Sequence, residues 1–211
     1  MSESVSRGAA MWDERYAAEH YAYGFEPNAF LTAQRRRLKT GMRALVPGDG
    51  EGRNGVWLAE QGLEVDTLDF SARGVAKAKK LAAERAVAIN ALHADAIAWE
   101  WPEARYDLVA LIFLHLVESQ RRTVHAKALR SLKPGGLIVL EAFRPEQIER
   151  QQAGSRGGPR DPALLYALAD LKEDFTSGEI LLLESAEATM EEGRLHVGDS
   201  AVARALVRKR P

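Results

Sequence analysis

The residues best suited to chemistry lie in a glycine-rich turn, G-D-G-E-G-R-N, at residues 48–54. The turn joins a short apolar run to a segment with helical spacing, and Gly48, Gly50 and Gly52 leave the main chain there without side chains. A small ligand can approach bare backbone at such a strand-to-helix turn. Because glycine-rich turns bind several kinds of nucleotide, the surrounding residues are needed to indicate which ligand this turn binds.

The spacing of the glycines and the charge of the turn both argue against a pyrophosphate ligand. A dinucleotide loop reads G-x-G-x-x-G and holds the phosphates on helix amides. Here the third glycine comes one residue early, and Arg53 stands at the expected position. Asp49 and Glu51 add two carboxylates, and a like-charge contact near a protein surface costs up to about 4 kcal/mol. The turn therefore suits a cationic ligand without phosphate, and a nicotinamide-dependent oxidoreductase is the alternative interpretation.

Further candidates stand at the ends of predicted strands, where ligands bind in open α/β sheets. Asp69 ends the second strand, about 20 residues after the first glycine, where a carboxylate can accept both ribose hydroxyls; the alternative is a cap for the following helix. His115 ends the fourth strand, Arg144 follows the fifth and His196 opens the last. His115 could act as a base or orient an acceptor, and a structural role at the sheet edge is the alternative. Arg144 is a candidate for the acceptor site, and His196 either lines the acceptor pocket or is structural.

A polar, glycine-rich segment at residues 144–160 has the length of a functional loop. Its arginines at positions 144, 150, 156 and 160 are interpreted first as solvated charge, and alternatively as a site for an anionic acceptor. His125 lies in the middle of a predicted helix and is expected on its exposed side.

The chain alternates between apolar runs and segments with helical spacing, which predicts strand-and-helix units in a parallel sheet. We expect an α/β fold: a Rossmann-like, doubly wound, seven-stranded mixed sheet that ends in an antiparallel hairpin, with residues 1–211 as one domain. The predicted strands are 42–47, 63–69, 86–94, 106–116, 137–143, 179–190 and 195–208, and the predicted helices begin near residues 33, 53, 71, 118 and 161.

The N-terminal segment, residues 1–32, divides into a small polar stretch and an aromatic one. Residues 1–10 are expected to fray. Residues 11–31 contain six of the chain's 15 aromatic side chains in about a tenth of its length and predict a helix packed on the core, followed by a turn. A second interpretation, compatible with the first, is a lid whose tyrosines, Tyr16, Tyr21 and Tyr23, wall a ligand.

Five motifs in order resemble those of class I S-adenosylmethionine-dependent methyltransferases, and the resemblance covers nearly the whole chain: G-D-G-E-G-R-N, L-D-F-S, A-D-A, Y-D-L-V and L-K-P-G-G. W-D-E-R-Y and Y-A-Y-G-F-E-P-N near the start, and E-E-G-R-L-H-V-G near the end, are similar to small bacterial members of the tellurite-resistance and thiopurine type. The resemblance implies S-adenosylmethionine as cofactor and S-adenosylhomocysteine as product. It implies cofactor contacts from Tyr23, Gly48, Asp49, Gly50, Gly52, Asn54, Asp69, Phe70, Asp95 and Ala96.

One position departs from this family pattern. An acidic residue usually stands two positions before the first glycine, and here that position is Val46. We expect Asp49, Glu51 or the aromatic N-terminal segment to take the place of the missing carboxylate near the methionine end of the cofactor.

Composition limits the acceptor and the compartment. The net charge is -1, and cysteine is absent, so neither a basic nucleic-acid surface nor a thiolate metal site is expected. The fourth strand ends F-L-H-L, unlike the Pro-Pro-aromatic motif of nucleobase amino-methylation. We expect a cytoplasmic enzyme without a membrane span, a monomer or homodimer, that acts on a small molecule such as a chalcogen oxyanion, a thiol or another small nucleophile. A methyltransferase-like protein without turnover is the non-enzymatic alternative.

Overall fold

The computed structural model describes residues 3–211 and contains a seven-stranded mixed sheet. The strand order is β3-β2-β1-β4-β5-β7-β6, with the first five strands parallel and β7 antiparallel to both of its neighbours. The predicted fold class is confirmed. The strands are β1 (Arg43–Pro47), β2 (Glu64–Asp69), β3 (Asn90–His93), β4 (Tyr106–Ile112), β5 (Leu132–Phe143), β6 (Glu179–Glu192) and β7 (His196–Arg208).

The central strands are buried on both faces because their side chains alternate between two apolar layers. Leu45 and Val109 belong to one layer, and their neighbours Val46 and Ala110 belong to the other. All four side chains are almost completely buried. A polar side chain that faces either layer needs a buried hydrogen-bond partner, as Glu141 on β5 has in Asn28 and Arg204.

The helices lie on both faces of the sheet, as expected for strand-and-helix units. Ser71 caps α4 by accepting a hydrogen bond from the Gly74 N–H, as predicted. None of the helices in residues 3–211 has the length and apolar character needed to cross a bilayer. The helices are α1 (Glu3–Arg15), α2 (Ala29–Thr32), α3 (Arg53–Glu60), α4 (Ala72–Glu84), α5 (Glu118–Ser131), α6 (Gln147–Gln152) and α7 (Leu168–Asp174).

The N-terminal region differs from its prediction. Of the stretch expected to fray, Met1 and Ser2 lie outside the described residues, and Glu3 onward is helical. That helix, α1, ends at Arg15, so the residues after it form an irregular segment instead of a continuous helix. The basic helix predicted from Ala33 is only a 3₁₀ turn, Arg35–Arg37, because three consecutive arginines offer no apolar face to pack.

Three other local predictions need correction. The predicted helix over residues 161–171 is a 3₁₀ turn, Pro162–Leu164, followed by α7. The loop after β5 contains a helix, α6. His125 is buried instead of exposed, because its Nδ1 lies 2.8 Å from the carboxylate of Asp174.

Candidate functional site

The glycine-rich turn follows β1 at the carboxyl edge of the sheet. Gly48, Gly50 and Gly52 have φ angles of 69°, 57° and 92°, which favour glycine. A Cβ on Gly48 would come 2.8 Å from a methyl carbon of Leu114, and one on Gly50 would come 2.5 Å from the hydroxyl of Tyr16. The backbone of the turn is therefore bare and is approached by the loop after β4 and by the N-terminal segment.

Asp69 ends β2 beside this turn. Its Oδ2 accepts a hydrogen bond from the Gly50 N–H at 2.9 Å, and its Oδ1 accepts one from the Ser71 N–H at 2.8 Å. Burial raises the pKa of Asp69 to about 6, against the opposing effect of these two amides. Each oxygen keeps a second lone pair, so the carboxylate can accept further hydrogen bonds while it holds the turn to the following helix.

The next strand end carries Asp95 and Ala96, just beyond β3. Asp95 Oδ1 accepts a hydrogen bond from the Ile97 N–H at 2.8 Å, and the Ala96 carbonyl accepts one from the Trp101 indole at 2.9 Å. Phe70 follows Asp69, and its carbonyl lies 3.0 Å from His93 Nε2 at the end of β3. The structure therefore brings these predicted residues to adjacent strand ends on one edge.

Asp49 points beneath the turn. Its Oδ2 accepts a hydrogen bond from the Gly55 N–H at 3.1 Å near the start of α3, and its buried Oδ1 has no hydrogen-bond partner among the described residues. Burial raises the pKa of Asp49 to about 8, with a further contribution from nearby Asp69. The carboxyl group is therefore mostly protonated at neutral pH, and the turn is less acidic than its sequence suggests.

Stability should depend on pH because of Asp49. Its pKa is 3.8 in the reference state and about 8 in the folded protein, so over this range the folded state binds more protons than the unfolded state. Stability then falls as pH rises, by up to about 1.4 kcal/mol per pH unit. Asp69 adds to this decline in stability only up to about pH 6, the pKa of its carboxyl group in the folded protein. Between pH 6 and 8, Asp49→Asn should remove most of this decline, and urea unfolding of both proteins at several pH values checks it. Parallel stability curves for the two proteins would contradict the assignment.

The three polar side chains that end the motif hold a stretch of the N-terminal segment, which we call the strap, residues 20–28. Glu51 accepts hydrogen bonds from the Ala22 N–H and the Lys77 ammonium, both at 2.7 Å. Arg53 donates to the Glu26 carbonyl at 3.2 Å. Asn54 accepts from the strap's last residue, the N–H of Asn28, at 2.9 Å. The structure therefore turns Asn54, predicted as a cofactor contact, toward the strap.

An aromatic cluster around His196 includes Tyr23 of the strap. The ring of His196 is 4.5 Å from that of Tyr23, 4.8 Å from Phe113 and 5.2 Å from Phe143, centroid to centroid. Phe113 has a φ of 52°, a strained conformation for an aromatic residue, and such strain is found preferentially at functional sites. Tyr23, predicted as a cofactor contact, is thus part of the wall around His196.

A partly buried carboxylate, that of Glu192, orients His196. Glu192 Oε2 lies 3.0 Å from His196 Nδ1 and 2.8 Å from a guanidinium nitrogen of Arg53. Burial alone would raise the pKa of Glu192, but the hydrogen bond from His196 and the charge of Arg53 lower it to about 2. Because an ionised carboxylate only accepts hydrogen bonds, the His196 proton resides on Nδ1. Burial lowers the pKa of His196 itself, so Nε2 carries a free lone pair at neutral pH.

His115, predicted at the end of the fourth strand, lies three residues beyond the end of β4 at Ile112, in the loop that follows. Its Nδ1 donates a hydrogen bond to the Leu164 carbonyl at 2.7 Å, and its Nε2 accepts a longer one, 3.4 Å, from the Phe143 N–H. Burial lowers the pKa of His115 to about 4. Both ring nitrogens are engaged by backbone, so this geometry ties the loop after β4 to neighbouring segments and favours the structural interpretation.

Arg144 and Arg150 share one acidic partner on β6. Both guanidinium groups lie 2.8 Å from the carboxylate of Glu187, and Arg144 also contacts Glu146. These two charges are therefore compensated locally, which weighs against the anionic-acceptor interpretation of the loop. Sequence reasoning missed Glu192, although its spacing of four residues from His196 across a predicted hairpin tip was a usable signal.

Comparison with known proteins supports a methyltransferase. Residues 44–136 match the model of a methyltransferase domain. No curated protein sequence shows detectable similarity. Solved structures with this fold include TehB from Haemophilus influenzae, with 17% identity over 96% of this chain and 67% of that one and a TM-score of 0.70. N-methyltransferase NodS from Bradyrhizobium japonicum WM9, in complex with S-adenosyl-l-homocysteine, has 15% identity over 96% and 98%, with a TM-score of 0.69. The cyclase SpnF has 20% identity over 98% and 97%, with a TM-score of 0.72.

The strand order, with β7 between β5 and β6, and the glycine-rich turn after β1 are those of a Rossmann-like methyltransferase fold. Together with the match of residues 44–136 to a methyltransferase domain, they support S-adenosylmethionine-dependent methyl transfer as the activity of this chain. S-adenosylmethionine is accordingly its cofactor, and S-adenosylhomocysteine is the product.

The residues at the strand ends fit the adenosine half of this cofactor better than the methionine half. Asp69 retains acceptor capacity beside bare backbone, and Asp95 stands at the adjacent strand end. On the methionine side, Val46 is buried within β1. Glu51 is engaged by the strap and Lys77, and Asp49 lies under the turn. Neither acidic residue of the turn is thus aimed at the carboxyl edge as the sequence suggested.

Proposed function

We propose that the whole chain is one domain that transfers a methyl group from S-adenosylmethionine to a small-molecule acceptor, with His196 as the group that removes the acceptor's proton. One observation carries the proposal: a buried histidine, oriented by Glu192, stands within an aromatic cluster on the same side of the sheet as the glycine-rich turn. Arg53 begins the helix after that turn and contacts Glu192, which links the two halves of the site.

The cofactor, when bound, supplies an electrophilic methyl group on a good leaving group. The chain's own contribution is to position the acceptor, to exclude water and to remove the acceptor's proton. Asp69 would accept hydrogen bonds from the ribose hydroxyls, and Asp95 would accept one from the adenine amine. The backbone at Gly48 and Gly50 would pack against the remainder of the cofactor. His196 Nε2 would take the proton of the acceptor, and the resulting imidazolium would be stabilised by Glu192.

A titration tests the cofactor half of this proposal. We expect S-adenosylhomocysteine to bind and NAD not to bind; NAD binding alone would instead support an oxidoreductase. An acceptor screen that detects S-adenosylhomocysteine release tests the other half, with thiols, phenols and chalcogen oxyanions as probes. Cofactor binding without turnover of any probe would favour a non-catalytic role.

Asp69→Ala should weaken S-adenosylhomocysteine binding by roughly 1 to 3 kcal/mol, or about 5- to 150-fold, because a charged acceptor for the ribose is lost. Calorimetric titration measures the change. Asp66→Ala is the matched control, since Asp66 lies on the same strand but bonds Tyr106 and Asn90 away from the edge. Equal affinity for Asp69→Ala and wild type would remove Asp69 from the cofactor site.

A further inference from the structure

A cavity of about 390 Å³ opens between the end of α1 and the tip of the β6–β7 hairpin. Its volume lies at the lower end of the range for small-molecule sites. It is lined by Met11, Glu14, Arg15, His20, Ala22, Arg194 and Leu195. None of these residues belongs to the cofactor set or to the Glu192–His196 pair.

The cavity lies directly beside the wall of the histidine site. Arg15, which lines it, donates a hydrogen bond to the Tyr23 hydroxyl at 3.0 Å, and the Tyr23 ring packs on His196. Leu195, another lining residue, immediately precedes His196. Along this chain of contacts the Tyr23 ring alone separates Arg15 from His196, and a molecule in the cavity would reach toward the proposed base.

The walls of the cavity combine positive charge with apolar surface. The lining includes two arginines, Arg15 and Arg194, and one carboxylate residue, Glu14. Among residues 8–211, no carboxylate forms an ion pair with either arginine. Met11 and Leu195 are two of the few large apolar side chains with more than a third of their surface exposed, and both lie here. Such a lining recognises an anion attached to an apolar body.

The guanidinium group of Arg15 is held in place before any ligand binds. Arg15 stacks over the Trp12 ring, 4.5 Å from its centroid, and is fixed again by Tyr23. The main-chain N–H of Arg194 donates to the Ala22 carbonyl at 3.1 Å, which attaches the hairpin tip to the strap. A pre-organised donor such as the Arg15 guanidinium loses little conformational freedom on binding, and the main chain that carries Arg194 is fixed beside it.

We propose that this cavity binds a small carboxylate with an apolar body, and that it receives the end of the methyl acceptor remote from the reacting atom. The proposal rests on the function proposed above. It assigns the substrate class through Arg15 and Arg194 and leaves the reacting atom of the acceptor to the chemistry at His196.

Methionine-methyl NMR gives a site-specific test. The chain has four methionines. Of the three within residues 3–211, Met11 lines the cavity, while Met42 and Met190 pack elsewhere and serve as internal references. Addition of 4-phenylbutyrate should shift the Met11 signal saturably, with a Kd of about 1 mM or tighter. The neutral analogue 4-phenylbutanamide should bind at least about tenfold more weakly.

Substitution of the two arginines completes the test. Arg15→Gln with Arg194→Gln should weaken phenylbutyrate binding about tenfold or more, whereas Arg36→Gln with Arg37→Gln, on the exposed 3₁₀ turn, should leave it unchanged. A Met11 signal that does not saturate, equal binding of acid and amide, or unchanged binding in the Arg15 and Arg194 variant would each overturn the proposal. S-adenosylhomocysteine titration of the same samples reports separately on the proposed function.

A kinetic comparison links the cavity to the acceptor. Acceptors offered as acid and amide pairs in the turnover screen should show the lower KM for the acid in the wild type, and the advantage should vanish in the double arginine variant. Equal KM values for acid and amide in the wild type would separate the cavity from the acceptor site, even where phenylbutyrate binds.

Discussion

Gly52→Ala is expected to lower the free energy of unfolding by about 2 to 5 kcal/mol, the sum of left-handed backbone strain and overpacking. Gly52 has a φ of 92°, and a Cβ there would lie 2.6 Å from the Cβ and 2.7 Å from the Cα of Ala78 on α4. Because one of these atoms is backbone, the contact cannot be relieved by a side-chain rotation. Urea unfolding at constant pH gives the change.

Gly135→Ala separates the two causes. Gly135 has a φ of 78°, but a Cβ added there would meet no atom within 4 Å, so only the conformational strain of about 1 to 2 kcal/mol applies. Adding Ala78→Gly to Gly52→Ala should recover part of the lost stability, since it removes the closer of the two clashing atoms. Equal destabilisation by Gly52→Ala and Gly135→Ala would show that helix packing does not require Gly52.

The Gly52 contact also explains the short spacing of the glycine motif. The third glycine sits where α3 crosses close to α4, so its position is set by helix packing. Gly48 and Gly50 instead face the loop after β4 and Tyr16. Glycine is therefore required at Gly52 by helix packing, and at Gly48 and Gly50 by the close approach of a loop and of a tyrosine. A sequence pattern cannot distinguish these two requirements, because each is met by a residue without a side chain.

The sheet was predictable because its signals are local and redundant. Apolar runs such as residues 106–112 are buried on both faces, and turn residues punctuate them. The errors occur where a residue distant in sequence determines whether a side chain is buried. His125 is buried because Asp174 on α7 supplies a carboxylate, and nothing near His125 in the sequence indicates that partner. The predicted helix from Ala33 failed for the opposite reason: its arginines present no apolar face that a distant partner could cover.

The positions of the candidate residues at the strand ends were predictable from the sequence, whereas the contacts that join the glycine-rich turn to the strap and to Glu192 were not. Asp69 and Asp95 are found at the carboxyl edge, where strand order requires them. By contrast, Glu51, Arg53 and Asn54 are directed to the strap and to Glu192, through contacts that span up to 139 residues. A charged side chain near a ligand loop can bind the ligand or hold the protein together around it, and only the fold distinguishes these roles.

The contrast between the two site histidines follows from the same principle. His196 begins β7, His115 lies in the loop after β4, and both pack against Phe143. The hydrogen-bonding groups of His115 are occupied by the main chain, whereas His196 has a carboxylate on one nitrogen and a lone pair on the other. The pairing with Glu192 makes His196 suitable for proton transfer.

His196→Gln should therefore reduce kcat by about 100- to 10,000-fold, the usual contribution of a positioned general base, once an acceptor with a transferable proton is identified. Glutamine can still donate to Glu192, so the buried pair is retained and S-adenosylhomocysteine affinity should stay close to that of the wild type. Steady-state kinetics and calorimetric titration measure the two quantities.

His115→Gln provides the comparison. It should lower stability with little effect on kcat per folded molecule, because its two backbone hydrogen bonds tie segments together and leave no nitrogen for the acceptor. The pH profile adds a signature that a structural role would not produce. Below the pKa of His196 the base is protonated and turnover falls, and Glu192→Gln should move this acid limb to lower pH, since Glu192 raises the pKa of His196. An unshifted limb, or a kcat for His196→Gln equal to that of the wild type, would exclude His196 as the base.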